Sequence, residues 1–464
     1  MSAFERNKKR YLPSTLDLYN LREDVLKCEQ LKPNEGNDSS EEENLCKLLR
    51  IRNEVGNLLS KGKRRILTAI PYFFEVWKIF SSFPVEHYCY LPPLYKSDTL
   101  VLILETAVKR LLQREVGMIT GSANNAGHLV LGGVEGVGKT TLMRALALSS
   151  AAFLKHMIPI CHDYLVFKTP ECILWEALDI YHSLEPDSEA DPLDVLNGHC
   201  QNAFLLLDEF QHNFIFAGNP AWIAGRDAAI TFHRYSRTCG TFCVIGGSSV
   251  DMPSLLFKQG SGESTDHWRK RGYPDFNGTL YEPHTVPALR TVEVLEAYIH
   301  TRYPLWDLKK NDLSLLLAYT GGIGRWVHIV WEECMLRYPD TLKIPLCSEE
   351  CIRIVMVYRK VKHEKVLESA ENRVLIAYLL MAAQPEKDAF GNISHCGGVD
   401  KVMLRQALSA VGVGSPSDII DTAEANSIIY IDANGSVQFS RPVDAIIFNS
   451  ELPPPQHKLL LLSA

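Results

Sequence analysis

The sequence predicts an α/β protein: a parallel sheet with helices on both faces, then a helical segment and a small C-terminal domain. Short apolar runs of strand length recur from residue 128 onward, and longer helix-like stretches separate them. The strand-like runs are Leu129–Leu131, Met157–Cys161, Phe204–Leu207, Phe242–Ile245 and the beginning of a last one at Leu280–Tyr281. The helix-like stretches are Lys139–Lys155, Pro170–Ser183 and Trp222–Arg237, and beyond Thr291 they are Val292–Arg302, Leu313–Tyr319, Ile323–Arg337 and Glu349–Lys365.

The composition is that of a globular protein and excludes several other classes. With 464 residues, of which 46% are hydrophobic and 22% charged, the chain is neither disordered nor collagen-like nor a coiled coil. A net charge of -7 means that any nucleic-acid contact would need a local basic patch. The 12 cysteines show neither zinc-site spacing nor a disulfide framework, and we find no signal peptide and no membrane span. We therefore expect a soluble intracellular protein, cytoplasmic or nuclear, without membrane contact.

The patterns divide the chain into four segments. Residues 1–98 are predicted to be a helical extension, 99–289 the sheet domain, 290–365 a helical lid and 366–464 the last domain. In the first segment, Asn34–Glu43 is acidic and rich in turn residues, and we expect a flexible loop there. The basic clusters Lys8–Arg10 and Lys61–Arg65 fit solvated helix ends or weak nuclear-import or phosphate-contacting patches. Apolar spacing predicts a helix over Thr99–Arg114.

The clearest motif lies between the first strand and the first helix of the sheet domain. It reads GVEGVGKT and satisfies G-x-x-x-x-G-K-[ST] in the strand and helix context that this motif requires. Gly136 and Gly138 would let the backbone curl around phosphates, and the following helix N-terminus adds positive potential. Lys139 would reach the β- and γ-phosphates, and the Thr140 hydroxyl would bind Mg²⁺. The predicted nucleotide-binding residues are Gly133, Val134, Glu135, Gly136, Val137, Gly138, Lys139, Thr140 and Thr141.

A second apolar strand, Phe204–Leu207, ends in two carboxylates, Asp208 and Glu209. The carboxyl ends of parallel strands meet at one edge of a sheet, so we expect this pair beside the phosphate loop. Asp208 would hold the hydration shell of Mg²⁺, and Glu209 would orient or deprotonate the attacking water.

A third strand ends in Gly246-Gly-Ser-Ser249 and offers a polar side chain at the same edge. Ser248 or Ser249 would hydrogen-bond the attacking water or the γ-phosphate. The alternative is a Gly/Ser turn that closes the strand. Gln211 and His212 follow the acidic pair and fit a surface loop better than a phosphate sensor.

These segments resemble the AAA+-related STAND-type P-loop ATPases, in particular the archaeal-ATPase-like branch, and more distantly the origin-recognition initiators. The resemblance covers about residues 100–450 and rests on LVLGGVEGVGKTT, FLLLDEF, FCVIGGSS, RKRGYPDFNGTLYEPHTVPALRTVEVLEAYI and YTGGIGRWVHIVWEECM. It implies that an arginine ahead of the last core strand, Arg271 or Arg269, acts on a nucleotide. If that arginine acts in trans, the chain forms a ring or a transient oligomer. Crinkler-type and retrotransposon-hot-spot proteins carry P-loop modules of similar layout.

The resemblance also implies a lid contact. Members of this group often carry GG-x-P ahead of a lid helix, whereas this chain reads Gly321-Gly-Ile-Gly-Arg325. Gly324 thus replaces the proline, and Arg325 becomes the candidate sensor of the nucleotide.

The last segment has the element order of a winged helix. Helical patterns at Asn372–Met381, Val402–Val411 and Ser415–Ala425 precede two strand-like runs joined around Asn434-Gly435, the preferred hairpin dipeptide. The third helix of such folds often enters the major groove of DNA. Here that helix reads SPSDIIDTAEANS and is acidic, so it would repel phosphates. We favour a packing or protein-contact module over a DNA reader.

These observations predict an ATP-dependent switch in which the γ-phosphate sets how the lid and the winged helix pack. The predicted catalytic residues are Glu209, Lys139, Ser248 and Arg271, and the predicted Mg²⁺ ligands are Thr140 and Asp208. ATP is expected rather than GTP because an N/T-K-x-D tetrapeptide in suitable surroundings is absent. The alternatives are a nucleic-acid-remodelling ATPase of the initiator kind and a scaffold that binds nucleotide without turnover. A protein partner is expected, and the sequence does not indicate which one.

Overall fold

The computed structural model describes residues 12–29, 40–120, 128–163, 203–209, 242–247, 281–337, 366–382, 385–387, 393–396, 398–425, 428–431, 435–440, 444–445 and 448. The chain divides into two compact units. The first contains Met1–Gly132 and Lys139–Thr285, and the second contains Gly133–Gly138 and Val286–Ala464. The helices predicted at 170–183, 222–237 and 349–365 lie outside the described residues.

The first unit contains the predicted parallel sheet. Within the described residues the sheet has five strands in the order β2-β3-β4-β1-β5, and every pairing is parallel. The fifth strand includes Pro283 and lies at an edge, the place in a sheet where a residue without an N–H is tolerated. The strands are β1 (His128–Gly132), β2 (Ile158–Asp163), β3 (Ala203–Asp208), β4 (Phe242–Gly246) and β5 (Tyr281–Thr285). The α/β fold class is therefore confirmed.

The strand registers bring the carboxyl ends of β1, β3 and β4 together at one edge of the sheet, the edge where the strands end. Leu131 is paired with Gly246, and Leu207 is paired with Ile245. Because all strands run in the same direction, Asp208 at the end of β3 and Gly132 at the end of β1 share this edge. The sheet is the scaffold that collects the predicted site residues.

The N-terminal residues form helices that pack on the helix after β1. These helices are α1 (Thr15–Lys27), α2 (Ser40–Leu59), α3 (Ile66–Phe80) and α4 (Asp98–Thr120), and all four contact α5 (Lys139–Phe153). The loop expected at Asn34–Glu43 is wrong at its end, because Ser40–Glu43 is the first turn of α2. Acidic side chains in that turn face the positive end of the helix dipole, which favours helix there.

The carboxyl end of α5 is held by buried charged residues from these helices. The guanidinium of Arg52 donates to the carbonyl oxygens of Ala151, Ala152 and Leu154 at 3.4, 3.3 and 2.9 Å. The carboxylate of Glu115 accepts from the amides of residues 155, 156 and 157 at 2.8, 3.0 and 3.0 Å. Arg52 therefore satisfies carbonyl groups that a helix end leaves without intrahelical partners, and Glu115 satisfies N–H groups of the segment that follows the helix.

In the second unit, three helices follow the last strand of the sheet: α6 (Val292–Arg302), α7 (Lys310–Thr320) and α8 (Gly324–Arg337). They agree with the helical patterns at 292–302, 313–319 and 323–337. The turn between α7 and α8 contacts the segment before α6, since the Leu289 N–H donates to the carbonyl oxygen of Gly322 at 2.8 Å. A Cβ on Gly322 would lie 1.9 Å from the carbonyl oxygen of Leu289, so only glycine allows this contact.

The C-terminal part of this unit has the predicted three helices followed by a β-hairpin. The helices are α9 (Ala370–Ala382), α10 (Lys401–Ala410) and α11 (Pro416–Ala425). The strands are β6 (Pro385–Lys387), β7 (Ile393–Cys396), β8 (Val399–Asp400), β9 (Ile429–Ile431) and β10 (Ser436–Phe439). The hairpin β9–β10 is joined by β8 in a three-stranded antiparallel sheet, and one apolar cluster packs the helices on it. The two-stranded β6–β7 was not predicted.

The described helices include none with the length and apolar character that crossing a membrane requires.

Candidate nucleotide-binding site

The motif loop, Gly133–Gly138, joins β1 to α5 in the chain and has the curled backbone that its sequence predicts. Gly136 and Gly138 have φ angles of 90° and 111°, in the region that residues with a Cβ rarely adopt. The Val137 N–H donates to the carbonyl oxygen of Val134 at 3.3 Å, which closes a turn within the loop. A turn of this kind followed by a helix N-terminus is a common way for backbone N–H groups to bind anions.

Lys139 and Thr140 begin α5 immediately after the motif loop. Lys139 is buried, and Asp208 at the end of β3 is 1% exposed. The Thr140 hydroxyl donates to Oδ2 of Asp208 at 2.5 Å. Two residues that lie far apart in the sequence, each predicted from its own motif, are thus in direct contact.

Glu209 follows Asp208 in an unusual backbone conformation. Its φ of 53° is the only positive value of a non-glycine residue in the described part of the chain. The Glu209 N–H donates to Oδ1 of Asp208 at 3.0 Å. This bond orients the Asp208 carboxylate while Oδ2 faces Thr140. A conformation of this cost is found most often at functional sites.

The strand order places β4 between β1 and β3. The residue that ends β4, Gly246, leaves room for the carboxylate, because a Cβ there would lie 2.7 Å from Oδ1 of Asp208. The Gly247 N–H donates to the carbonyl oxygen of Leu131 at 3.0 Å, which ties the end of β4 to β1. Ser248 is the next residue but lies outside the described part of the chain, as do Ser249, Gln211 and His212. Its predicted role therefore stays a prediction.

Arg325 contacts the motif loop through both its backbone and its side chain. Its N–H donates to the carbonyl oxygen of Gly136 at 3.0 Å, and its Nη1 lies 2.7 Å from Oε1 of Glu135. The sequence indicated Arg325 as a sensor but gave no sign of the pairing with Glu135, since the two residues are 190 positions apart. Arg271 and Arg269 lie outside the described residues.

Gly324, which replaces the proline of the GG-x-P pattern, lies where neighbouring atoms leave little room for a side chain. A Cβ on Gly324 would lie 3.1 Å from the hydroxyl oxygen of Tyr298 and 3.7 Å from the carbonyl oxygen of Gly136. Glycine therefore allows α6, the start of α8 and the motif loop to approach closely here. The sequence alone did not identify Tyr298 as a neighbour of Gly324.

The oxygen atoms that meet between the start of α5 and the end of β3 fit Mg²⁺. This ion prefers oxygen ligands, keeps several waters and is usually bound by one or two protein oxygens together with nucleotide phosphates. Thr140 and Asp208 supply a hydroxyl and a carboxylate whose oxygens already lie 2.5 Å apart. Across the residues that the structure describes, no group of three or more His, Cys, Asp or Glu side chains is arranged to hold a metal.

Fold and motif together define an α/β protein with a G-x-x-x-x-G-K-[ST] loop after the first strand of a parallel sheet. No protein-family model and no curated protein matches the chain. Among solved structures, the Aeropyrum pernix ORC2 protein in its ADPNP-ADP complexes is 13% identical, with 81% of this chain and 97% of that chain covered, at a TM-score of 0.47.

Two further similar structures have lower TM-scores. The Aeropyrum pernix ORC1 protein in complex with DNA is 15% identical, covers 75% of this chain and 92% of its own, and has a TM-score of 0.35. The Thermotoga maritima RuvB Holliday junction branch migration motor is 15% identical, covers 72% of this chain and 90% of its own, and has a TM-score of 0.32. At TM-scores below 0.5, these likenesses do not assign this chain to a family. The STAND-type and Crinkler-type assignments stay predictions.

Proposed function

We propose that the protein binds and hydrolyses ATP with Mg²⁺ and uses the nucleotide state to control its C-terminal part. One observation carries the proposal: the hydroxyl of Thr140, next to the motif loop, lies 2.5 Å from the buried carboxylate of Asp208. A Thr–Asp pair beside a phosphate loop is the arrangement in which P-loop proteins hold Mg²⁺.

Each residue then has a defined task. The N–H groups of Gly133–Gly138 and the side chain of Lys139 would offset the phosphate charge. Thr140 and Asp208 would hold Mg²⁺, which when bound polarises the phosphoryl oxygens. The carboxylate of Glu209 would orient the attacking water and accept its proton. We assign ATP rather than GTP because the guanine-reading tetrapeptide is absent from the sequence.

Contacts within the second unit offer a route from the motif loop to the C-terminal hairpin. Arg325 contacts the motif loop, and Gly322, three residues before it, is hydrogen-bonded to Leu289 at 2.8 Å. The neighbouring Arg290 places its guanidinium 4.6 Å from the ring centroid of Tyr430 in β9. Its Nη1 also approaches the carbonyl oxygen of Ser440, just after β10, at 3.5 Å. A shift of Arg325 would therefore reach the hairpin through the Gly322–Leu289 hydrogen bond and the contacts of Arg290.

The proposal is tested by measuring nucleotide binding and phosphate release on the purified chain. We expect Lys139→Ala to abolish ATP binding. Glu209→Gln should keep binding and slow phosphate release by about 10²- to 10⁴-fold, the usual contribution of a general base. The matched control is Lys109→Ala, because Lys109 is an exposed lysine of α4 and should leave both quantities unchanged. Equal phosphate release by the wild type and Glu209→Gln would reject the role of Glu209.

The second candidate is a nucleic-acid-associated ATPase of the initiator kind. The names of the similar structures include a DNA complex and a branch migration motor, which agree with this reading better than with the switch. The acidic α11, with Asp418 exposed in its first turn, argues against phosphate contact by that helix. Duplex and single-stranded DNA should therefore be added to the phosphate-release assay. Stimulation that disappears as salt is raised would favour this second candidate, and tight nucleotide retention without release would favour a scaffold.

A further inference from the structure

The motif loop contains a carboxylate that pairs with the arginine beside it. Glu135 and Arg325 are both about one-third exposed, at 34% and 36% of the side chain, and their charged atoms lie 2.7 Å apart. Nothing in the motif requires an acid at this position, since it is one of the variable x residues. A carboxylate inside an anion-binding loop repels the very phosphates that the loop would hold.

The backbone of Arg325 is held against the motif loop. Its N–H is bonded to the carbonyl oxygen of Gly136, and a Cβ on Gly136 would lie 2.7 Å from the Cβ of Arg325. The backbones of the loop and of α8 are therefore in close contact at this point. Only the outer part of the arginine side chain, which is partly exposed, can change partners.

Two anions would then compete for one guanidinium. In the free protein the available anion is the carboxylate of Glu135. Phosphate and carboxylate can both accept two parallel N–H bonds from arginine, but the phosphates carry more charge, so they are the stronger partner. The backbone contacts keep the guanidinium within reach of the loop in both states.

We propose that the Glu135–Arg325 ion pair is a latch that occupies Arg325 until the phosphates of ATP displace Glu135. This inference rests on the proposed function and adds its regulation: the chain carries its own competitor for the nucleotide. Glu135 lowers the affinity for ATP and couples phosphate binding to a change at the start of α8.

The test is a double-mutant cycle on the full chain, with the ATP dissociation constant measured by titration calorimetry. We expect Glu135→Gln to tighten ATP binding by about 2- to 5-fold, the range set by a partly exposed ion pair. Arg325→Ala should weaken binding, and Arg325→Lys should weaken it less, because it keeps the charge without the fork. In the Arg325→Ala background, Glu135→Gln should have only the small effect of removing one repulsive charge. Such non-additivity is the signature of a direct contact.

Controls separate this latch from folding and from the proposed function. Glu332→Gln removes the carboxylate 3.3 Å from His328 on α8 and should leave ATP affinity unchanged. Thermal midpoints without nucleotide report whether each variant is folded. An equal effect of Glu135→Gln with and without Arg325, or weaker ATP binding by Glu135→Gln, would overturn the latch and leave ATP binding standing. ATP binding by Glu135→Gln but not by the wild type would support the latch. Failure of both to bind ATP would overturn both proposals.

Discussion

At the scale of single residues, Glu209 is the most informative position. Its φ of 53° costs about 1–2 kcal/mol relative to an ordinary backbone conformation. The hydrogen bond from its N–H to Asp208 offsets part of that cost. The sequence predicted the acidic pair and its edge of the sheet. It did not predict the left-handed backbone, because that conformation depends on where the chain turns after β3, and no glycine or asparagine marks the turn.

The conformation gives a prediction for two variants that both lack the carboxylate. Glycine adopts φ 53° freely, whereas alanine does so at a cost, partly offset by the larger unfolded-state entropy of glycine. We expect Glu209→Gly to be more stable than Glu209→Ala by about 1 kcal/mol, measured by urea unfolding. Both should lose phosphate release equally. Equal unfolding midpoints would show that the positive φ carries no strain.

The pairing of Glu135 with Arg325 shows a different limit of sequence reasoning. Each residue lies in a recognisable segment, the motif loop and the GGIGR turn. Their contact depends on how a turn 190 positions away packs on the loop, and no local pattern encodes that. Residue types therefore predict the chemistry of each side chain, and the tertiary structure determines which side chains contact each other.

At the scale of elements, the helix α5 is fixed at both ends by different means. Its amino end carries Lys139 and Thr140, and its carboxyl end meets Arg52 and Glu115. Burial lowers the pKa of Arg52 to about 10, and the nearby Arg22 contributes to the decrease. The guanidinium thus stays charged at neutral pH, beside the negative end of the helix dipole.

This end of α5 provides a stability prediction. Glu115→Gln replaces a carboxylate that accepts from the amides of residues 155, 156 and 157, and an amide side chain has only one oxygen to offer them. Because the Glu115 side chain is buried, we expect a loss of about 2–3 kcal/mol in the free energy of unfolding. Denaturant titration of Glu115→Gln measures it, with Glu105→Gln on the exposed side of α4 as the control. A loss below 0.5 kcal/mol, the usual range for a surface substitution, would contradict the proposed capping.

At this scale, the sequence predicted the elements that contain an apolar run or a helical period. Apolar runs of three to five residues located the first four sheet strands, the shorter run Leu280–Tyr281 indicated the start of the fifth, and helical periodicity located α4 to α8 and the three C-terminal helices. The strands β6, β7 and β8 were missed because their sequences, PEK, ISHC and VD, contain no continuous apolar run. The error at Ser40–Glu43 came from reading acidic residues as a loop signal, when at a helix start they stabilise the first turn.

At the scale of the whole molecule, the most informative feature is the compact unit to which the motif loop belongs. Gly133–Gly138 belongs to the compact unit that contains α6, α7, α8 and the C-terminal part, although the strand before it and the helix after it belong to the other unit. Nucleotide binding would therefore act directly on the unit that contains the β9–β10 hairpin. The sequence predicted a nucleotide-dependent lid, but the role of Arg290 in reaching the hairpin depends on long-range packing.

This connection predicts a distant effect of nucleotide. Adding Mg²⁺ and a non-hydrolysable ATP analogue should change the hydrogen-exchange protection of residues 428–431 and 435–440. We expect Arg290→Gln to reduce this response, because it removes the contacts with Tyr430 and Ser440, while nucleotide affinity stays within about 2-fold. Arg405→Gln on α10 is the control. An unchanged response in Arg290→Gln would show that the signal does not pass through this arginine.

The residues that hold the carboxyl end of α5 have a consequence for biosynthesis. Arg52 and Glu115 both precede α5 in the chain, so a ribosome completes them before the helix emerges. The nascent N-terminal helices can offer a prepared docking position to α5 as it leaves the exit tunnel. Shortening the gene from its 5′ end would therefore remove an early folding platform for the helix that begins with Lys139.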